Sequence, residues 1–261
     1  MRKKYIRQTS LAASWSPRFG GFSFFVLVVC ALLHRFSFVS TKVFLSAAAI
    51  AGFCAFVSLV LALKGLYDLW KNGDRGGLKS MKGIVYSLIT FTPIAIFIFL
   101  WFAMPPLSDI STDTDMPPRF IAGIRPVDAL PVNNDLSAQA ALQLKAWPQM
   151  SGRRYDGSPD RILKSVRNVL NALGWPIEAQ RGVDGEDEKL FIETKAKTFY
   201  LGFVSDIVIR LTDEGDTTFV DMRSASRYLS HDLGIDAAFI MIFMDMLDTE
   251  MLSTPVDQDN E

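Results

Sequence analysis

Long apolar runs occupy the first 104 residues of the chain, and shorter periodic stripes of hydrophobic positions follow them. The runs extend from Gly20 to Val39, from Val43 to Leu63 and from Gly83 to Ala103, and the last two contain no charged residue. About 20 helical residues, each rising about 1.5 Å, cross the hydrocarbon core of a bilayer. Residues 1–104 are therefore predicted to form a three-helix membrane anchor.

The first run has a basic leader, like a secretory signal peptide, and His34 and Arg35 interrupt it near its end. A cleaved signal peptide needs a small-residue cleavage site, and no such site precedes this polar break. We therefore interpret the run as a retained membrane span.

Basic residues flank the three runs unevenly. Five precede the first run and five lie between the second and third, whereas only Arg35 and Lys42 lie between the first and second. Loops rich in Lys and Arg remain in the cytoplasm. The pattern predicts an integral protein of the inner (plasma) membrane, with a cytoplasmic N-terminus and a periplasmic or otherwise extracytoplasmic C-terminal domain.

Helical periodicity returns in the second half of the chain. The strongest stripe predicts a helix from about Pro159 to Leu173, with its apolar positions at Ile162, Val166, Val169, Leu170 and Leu173. A short helix over Ser137 to Trp147 is also predicted. The final helix, about Ile235 to Leu247, is apolar around nearly its whole circumference and is expected to be buried on several faces.

Strand-like patterns occur in four segments, with the approximate bounds Ile177 to Arg181, Lys189 to Tyr200, Asp206 to Thr212, and Thr217 to Ser224. The letters "DEGD" at 213–216 predict a hairpin turn between the last two. With Glu214 and Gly215 at its tip, Asp206 would pair with Arg223 across the strands. One side of this hairpin would be apolar and the other would carry charges.

These elements predict the α+β class, with three N-terminal transmembrane helices followed by an extracytoplasmic domain. That domain is expected to span residues 137–250 and to contain an antiparallel sheet of about four strands and two or three helices. The Pro- and Asp-rich segment 105–136 is predicted to be a linker with little regular structure. The polar tail, 251–261, is predicted to be disordered.

Charge separates the two halves of the chain. Residues 1–104 carry 12 Lys and Arg against 2 Asp and Glu, a net of +10, and residues 105–261 carry 15 against 26, a net of −11. The acidic half disfavours nucleic acid as a partner.

Both cysteines, Cys30 and Cys54, lie in the first half, and the only histidines are His34 and His231. No metal site and no cofactor are therefore predicted.

Charged and hydroxyl side chains concentrate in "VDMRSASRYLSHDLG", residues 220–234, and on one side of the predicted hairpin. The candidate binding residues are Asp206, Arg210, Asp221, Arg223, Arg227 and Asp232. They form a structural network in one interpretation, in which Arg223 pairs with Asp206. In another, Arg210, Arg223 and Arg227 form a pocket for a carboxylate or phosphate headgroup.

Catalysis is the third interpretation. Ser226 and His231 would act as nucleophile and base, or Asp206 and Asp221 as an acid–base pair. However, His231 and its neighbour Asp232 have diverging side chains, and the chain has no Gly-x-Ser-x-Gly elbow. Neighbouring arginines should also lower the pKa values of the two aspartates. No catalytic residue is therefore assigned.

Several separated motifs resemble the domain of unknown function 1499 family, in its membrane-anchored branch. In order, over about residues 105–250, they are "DISTDTDMPPRF", "LGWPIEA", "SDIVIRL", "RSASR" and "DLG". The resemblance implies an α+β domain that is often attached to a membrane and has no established chemistry. The chain departs from the family pattern at Asp236 and Phe239, where Asn and then Arg are frequent.

The sequence thus favours a non-enzymatic integral membrane protein whose extracytoplasmic domain serves binding or assembly at the cell envelope. The expected partners are the membrane itself and a lipid or anionic headgroup, a glycan or an envelope protein. The alternative is an envelope hydrolase that uses the Asp206/Asp221 or the Ser226/His231 region.

Overall fold

The computed structural model describes residues 8–121, 125–132, 135–182 and 189–253. The chain divides into two compact units. The first comprises Met1–Leu100 together with Tyr200–Gly202, and the second comprises Trp101–Phe199 together with Phe203–Glu261.

Three long helices make up most of the first unit, and they are α1 (Leu11–Arg35), α2 (Thr41–Asn72) and α3 (Gly77–Ala103). All three are long and apolar enough to cross a membrane. α1 ends at Arg35, before the predicted end at Val39. α2 ends at Asn72 and is capped by Gly73, whose φ of 67° suits glycine. The prediction of three apolar helices at the N-terminus is confirmed.

Small residues and buried hydroxyl groups bring the three helices together. A Cβ atom on Gly83 would overlap the side chain of Ser16, so only glycine fits at this crossing. Ser58 Oγ donates hydrogen bonds to the carbonyl of Ser16 at 2.8 Å and, more weakly, to that of Gly83 at 3.3 Å. Ser87 Oγ donates to the carbonyl of Ala55 at 2.9 Å. These bonds satisfy polar groups that lipid cannot satisfy.

In the described part of the second unit, a six-stranded antiparallel sheet forms one layer. The strands are β1 (Asp109–Ser111), β2 (Arg153–Asp156), β3 (Ile177–Gly182), β4 (Lys189–Lys197), β5 (Val204–Asp213) and β6 (Thr217–Ser226). Every pairing is antiparallel, in the order β1-β6-β5-β4-β3, and β2 also pairs with β6. The α+β class and the four predicted strands are confirmed, and β1 and β2 are additional.

β1 lies within the segment for which the sequence predicted little regular structure, and at Asp109–Ser111 that prediction is wrong. Gln143, on α4 (Ser137–Ala146), holds the free edge of this strand. Its Nε2 donates to the carbonyl of Ser111 at 2.6 Å, and its Oε1 accepts the Ser111 N–H at 3.3 Å. The side-chain amide thus substitutes for a further strand.

Two helices, α5 (Pro159–Leu173) and α6 (Ile235–Ser253), pack on the apolar face of the sheet. α5 has the predicted bounds, and all of its predicted stripe is buried except Leu173, which is partly buried. α6 continues past the predicted end, so residues 251–253 of the predicted disordered tail are helical. The remainder of that tail, 254–261, lies outside the described residues.

The hydrophobic core of the second unit lies between these helices and the sheet. The fully buried members of largest volume are Phe243, Ile110, Ile162, Leu170, Ile192, Ile207, Ile209, Leu211, Met222 and Ile240. The opposite face of the sheet carries the charged side chains, as the alternating pattern predicted.

Candidate functional site

The tip of the β5–β6 hairpin lies one residue further along the chain than predicted. The N–H of Glu214 donates to the carbonyl of Thr217 at 2.9 Å, so Gly215 and Asp216 form the tip. Gly215 has a φ of 89°, a value that favours glycine. This difference changes the partner of every residue in the two strands by two positions.

The predicted pairing of Asp206 with Arg223 is therefore wrong. The observed partners across the strands are Asp206 with Ala225, Val208 with Arg223, and Arg210 with Asp221. Since side chains alternate with period two, a change of two positions leaves each residue on its predicted face. Asp206, Arg210, Asp221 and Arg223 accordingly share the charged face.

Arg223 is paired with a carboxylate from outside the hairpin. Its Nε and Nη2 donate to the two oxygens of Asp109 on β1, at 2.8 and 2.6 Å. Its Nη1 donates to the carbonyl of Pro118 at 3.1 Å, and its guanidinium carbon lies 5.3 Å from the centroid of the Phe120 ring. Arg223 is 0% exposed. This is a bidentate ion pair in which the arginine is fully buried and the Asp109 side chain is 13% exposed.

Asp206 is held by two other arginines. Arg227 contacts it through Nε at 3.2 Å and also through Nη2. Arg125 forms an ion pair with it, with Nη1 3.0 Å from Oδ2. The guanidinium carbon of Arg125 also lies 5.1 Å from the centroid of the Phe120 ring. Phe120 therefore faces both this pair and Arg223.

Arg210 bridges two aspartates. Its Nε donates to Asp221 at 2.9 Å and its Nη2 donates to Asp113 at 3.0 Å. Burial, opposed by Arg210, raises the pKa of Asp221 to about 6. The prediction that neighbouring arginines would lower this pKa is wrong for Asp221, because loss of water outweighs the attraction of one guanidinium.

Residues 112–121, which follow β1, and Arg125 cover the charged face. Besides the contacts of Asp113, Pro118 and Phe120, the N–H of Ile121 donates to the Glu193 carboxylate on β4. Burial raises the pKa of Glu193. The face is thus enclosed by protein and not open to solvent.

Asp232 organises the start of α6. Its Oδ1 accepts the N–H of Gly234 at 3.0 Å and its Oδ2 accepts the N–H of Asp236 at 2.6 Å. Asp236 in turn accepts a hydrogen bond from Ser224 Oγ at 2.6 Å. Burial raises the pKa of both carboxyl groups, and that of Asp236 most. Gly234, just before α6, has a positive φ of 82°, which suits glycine.

Ser226 and His231 are each bonded to the backbone. Ser226 Oγ accepts the N–H of Leu229 at 3.3 Å. His231 Nδ1 accepts the N–H of Leu233 at 3.2 Å, which leaves Nε2 to donate to the carbonyl of Trp101 at 3.0 Å. Both ring nitrogens are therefore engaged, and neither bond activates a serine.

The second catalytic alternative, an acid–base pair of Asp206 and Asp221, requires two carboxylates that lie close together, and the pairing of the strands separates them. Asp221 faces Arg210, which lies four residues along β5 from Asp206. At about 3.4 Å per residue, the two carboxylates are separated by roughly 14 Å along the strands. Paired carboxylates of glycosidases lie roughly 5 to 9.5 Å apart.

The six candidate residues all lie on or beside the β5–β6 hairpin, but the structure brings only some of them together. Asp221 meets Arg210 and Asp206 meets Arg227, whereas Arg223 and Asp232 bind elsewhere. Whether any of them binds a ligand stays a prediction. Sequence reasoning missed the partners from other elements, namely Asp109, Asp113, Arg125 and Asp236. Within 8–121, 125–132, 135–182 and 189–253, no three His, Cys, Asp or Glu side chains group as a metal site.

Three open clefts border α6. One, of about 210 Å³, is lined by Met150, Met241 and Met244 among others. A second, of about 200 Å³, lies against α5 beside Met246. The third, of about 480 Å³, includes Met251. Methionine adapts its shape to varied partners, so clefts lined by it suit partners of different shapes.

Residues 109–247 match the model of the family described as "Protein of unknown function (DUF1499)". The match covers more than half of the 261 residues. It includes all six strands of the described sheet, the whole of α5 and most of α6. No curated protein matches the chain.

Substitution of Asp221 by Asn should change how stability depends on pH. Because the pKa of Asp221 is raised from 3.8 to about 6, its contribution to stability is complete below about pH 4 and is lost as the pH rises through about 6. At about 1.4 kcal/mol per unit of pKa, this loss approaches 3 kcal/mol. The variant lacks an ionisable group there, so its melting temperature, followed by tryptophan fluorescence of the full chain, should fall less over this range.

Asp245→Asn is the matched control, because Asp245 is exposed and its carboxylate forms none of the described ion pairs. It should keep the wild-type pH profile. Identical profiles for Asp221→Asn and wild type would show that the Asp221 carboxyl is not desolvated by the covering chain.

Proposed function

We propose that this chain, which belongs to the DUF1499 family of proteins of unknown function, is a non-enzymatic integral membrane protein that binds or assembles with another component of the cell envelope. The α+β unit would carry the binding surface. The observation that carries this proposal is the enclosure of the charged face, whose side chains are committed to each other.

Burial of the charged side chains argues against an active site, because a buried group cannot contact a substrate. A proton-transfer group must reach its substrate within hydrogen-bonding distance. Arg223 is fully buried against Asp109, and the side chains of Asp206 and Arg210 are only 8% and 12% exposed. Ion-pair networks perturb pKa values as active sites do, so the raised pKa of Asp221 is consistent with a structural role.

The outward face of α6 is the surface we assign to binding. Ile242 and Leu252 are exposed apolar residues on this helix, and the three clefts adjoin it. A helix that is apolar on nearly every side leaves such residues without cover unless a partner contacts them. A protein subunit, a lipid or a glycan would each suit clefts of this size and openness.

The proposed location is the plasma membrane, with the α+β unit on the extracytoplasmic side. The support is the uneven distribution of basic residues around the spans. Ten lie on the flanks assigned to the cytoplasm, and two, Arg35 and Lys42, lie at the end of α1 and the start of α2. In a cell with two membranes the unit would lie in the periplasm.

Reporter fusions test this orientation. Alkaline phosphatase fused after Glu261 should be active and green fluorescent protein at the same place should be dark, because the first folds outside the cytoplasm and the second inside it. Fusions after Asn72, in the connection between α2 and α3, should give the reverse. A fluorescent fusion after Glu261 together with an inactive phosphatase would exclude an extracytoplasmic role.

Native mass spectrometry of the full chain, extracted in mild detergent, tests the binding role. A lipid or protein subunit should accompany the wild-type protein. Ile242→Glu should lose it, because a buried charge at an interface is costly. Leu144→Glu, on α4, is the matched control, since Leu144 is 51% exposed against 45% for Ile242. A bare wild-type monomer, or equal retention by both variants, would contradict the proposal.

A further inference from the structure

The start of α1, the end of α2 and the start of α3 are joined at one end of the first unit. The N–H of Ser10 donates to the carbonyl of Arg75 at 3.1 Å, and Ser10 Oγ donates to Asp68 at 2.8 Å. Lys79 Nζ donates to Ser14 Oγ at 3.3 Å. The flanks of the three helices therefore form one continuous surface at this end.

Each helix places a cation at the boundary of its apolar run. Lys64 directly follows the charge-free run Val43 to Leu63, and Lys82 directly precedes the run Gly83 to Ala103. As helices these runs are about 30 Å long, which matches the hydrocarbon thickness of a bilayer. Arg18 stands two residues before the first run. The three cations thus lie at the depth of lipid phosphate groups.

Three further cations, Lys71, Arg75 and Lys79, lie between the second and third apolar runs, beyond their ends. We call the whole set the basic collar, and it consists of Arg18, Lys64, Lys71, Arg75, Lys79 and Lys82. Residues 1–104 contain only two acidic residues, Asp68 and Asp74, and Asp68 already accepts a hydrogen bond from Ser10. Among the residues that the structure describes, no member of the collar forms an ion pair. With six cations against these two carboxylates, the collar has an excess of positive charge.

Exposed aromatic rings accompany the collar. The guanidinium carbon of Arg18 lies 4.8 Å from the centroid of the Trp15 ring, and Lys71 Nζ lies 5.6 Å from that of Tyr67. Trp70 is 91% exposed. Tryptophan and tyrosine favour the interface between lipid and water. Their presence beside the cations places this end of the helices among lipid headgroups.

We propose that the basic collar is a binding surface for the headgroups of anionic phospholipids. The opposite ends of α1 and α2 carry only Arg35 and Lys42 as permanent cations, so anionic lipid should gather on one side of the bilayer. The proposal concerns the first unit alone and does not depend on the envelope-binding role proposed for the α+β unit.

Lipid selection by the reconstituted full chain tests the collar. The protein is placed in nanodiscs of equal parts phosphatidylglycerol and phosphatidylcholine, then extracted in mild detergent, and the lipids retained on it are quantified by mass spectrometry. Wild type should retain phosphatidylglycerol preferentially. Lys64→Gln should weaken this retention roughly fivefold, and the Arg18→Gln, Lys64→Gln, Lys82→Gln triple variant should weaken it roughly fivefold for each cation removed.

Lys42→Gln is the matched control, because Lys42 is an exposed lysine at the other end of the same helix. It should retain the wild-type preference. Salt provides a second measurement that needs no variant, since raising ionic strength to about 1 M shortens the screening length to about 3 Å and should remove the preference. Equal retention of the two lipids by wild type at low salt, or equal effects of Lys64→Gln and Lys42→Gln, would overturn the proposal.

Discussion

The ion pair between Arg223 and Asp109 is the constraint on which the second unit depends. A guanidinium group stays protonated under all ordinary conditions, so a fully buried arginine needs a carboxylate beside it. Asp109 supplies that carboxylate from a strand far from Arg223 in sequence, with both oxygens engaged. The pair therefore fixes β1 against β6. The chain that follows β1 then crosses the charged face, where Phe120 meets two guanidinium groups.

Enclosure of this face explains the chemistry of the remaining charges. Water is excluded from Asp221, so its pKa rises although Arg210 lies beside it. The same burial acts on Glu193. A cluster of aspartates, arginines, serines and a histidine in a short stretch of sequence thus resembles a reaction centre but behaves as an internal network. Side chains that are paired with each other beneath the covering segment have little surface left to contact a substrate.

Periodicity in the sequence was sufficient to predict most elements. α5 begins at Pro159 and ends at Leu173 as expected, because a strong apolar stripe, an N-terminal proline and Gly174 all agree. The faces of β5 and β6 were also predicted, since a pairing difference of two preserves alternation. β1 was missed because three residues are too few to display a period. Asp109 also disfavours a strand locally and is stabilised there only by the distant Arg223.

The candidate site was harder to predict for the same reason. Its members were visible in the sequence, but several of their partners, Asp109, Asp113 and Arg125, come from β1 and the segment that follows it. No local pattern indicates such distant pairing. The raised pKa of Asp221 depends on burial, and the segment that covers its face was expected to have little regular structure. The functional surfaces proposed here lie elsewhere, in the clefts beside α6 and in the basic collar. Each is exposed, which is what distinguishes it from the enclosed network.

A double-mutant cycle on Arg223 and Asp109 tests the central claim most directly. Arg223→Met or Asp109→Leu alone leaves one charge buried without its partner and should lower the free energy of unfolding by about 3–5 kcal/mol. The double variant removes both charges and should recover most of that loss, as measured by thermal unfolding of the full chain in detergent. Single variants that melt like wild type but no longer retain a ligand or partner would contradict this account, because they would identify the pair as a binding site and not as the internal support of the fold.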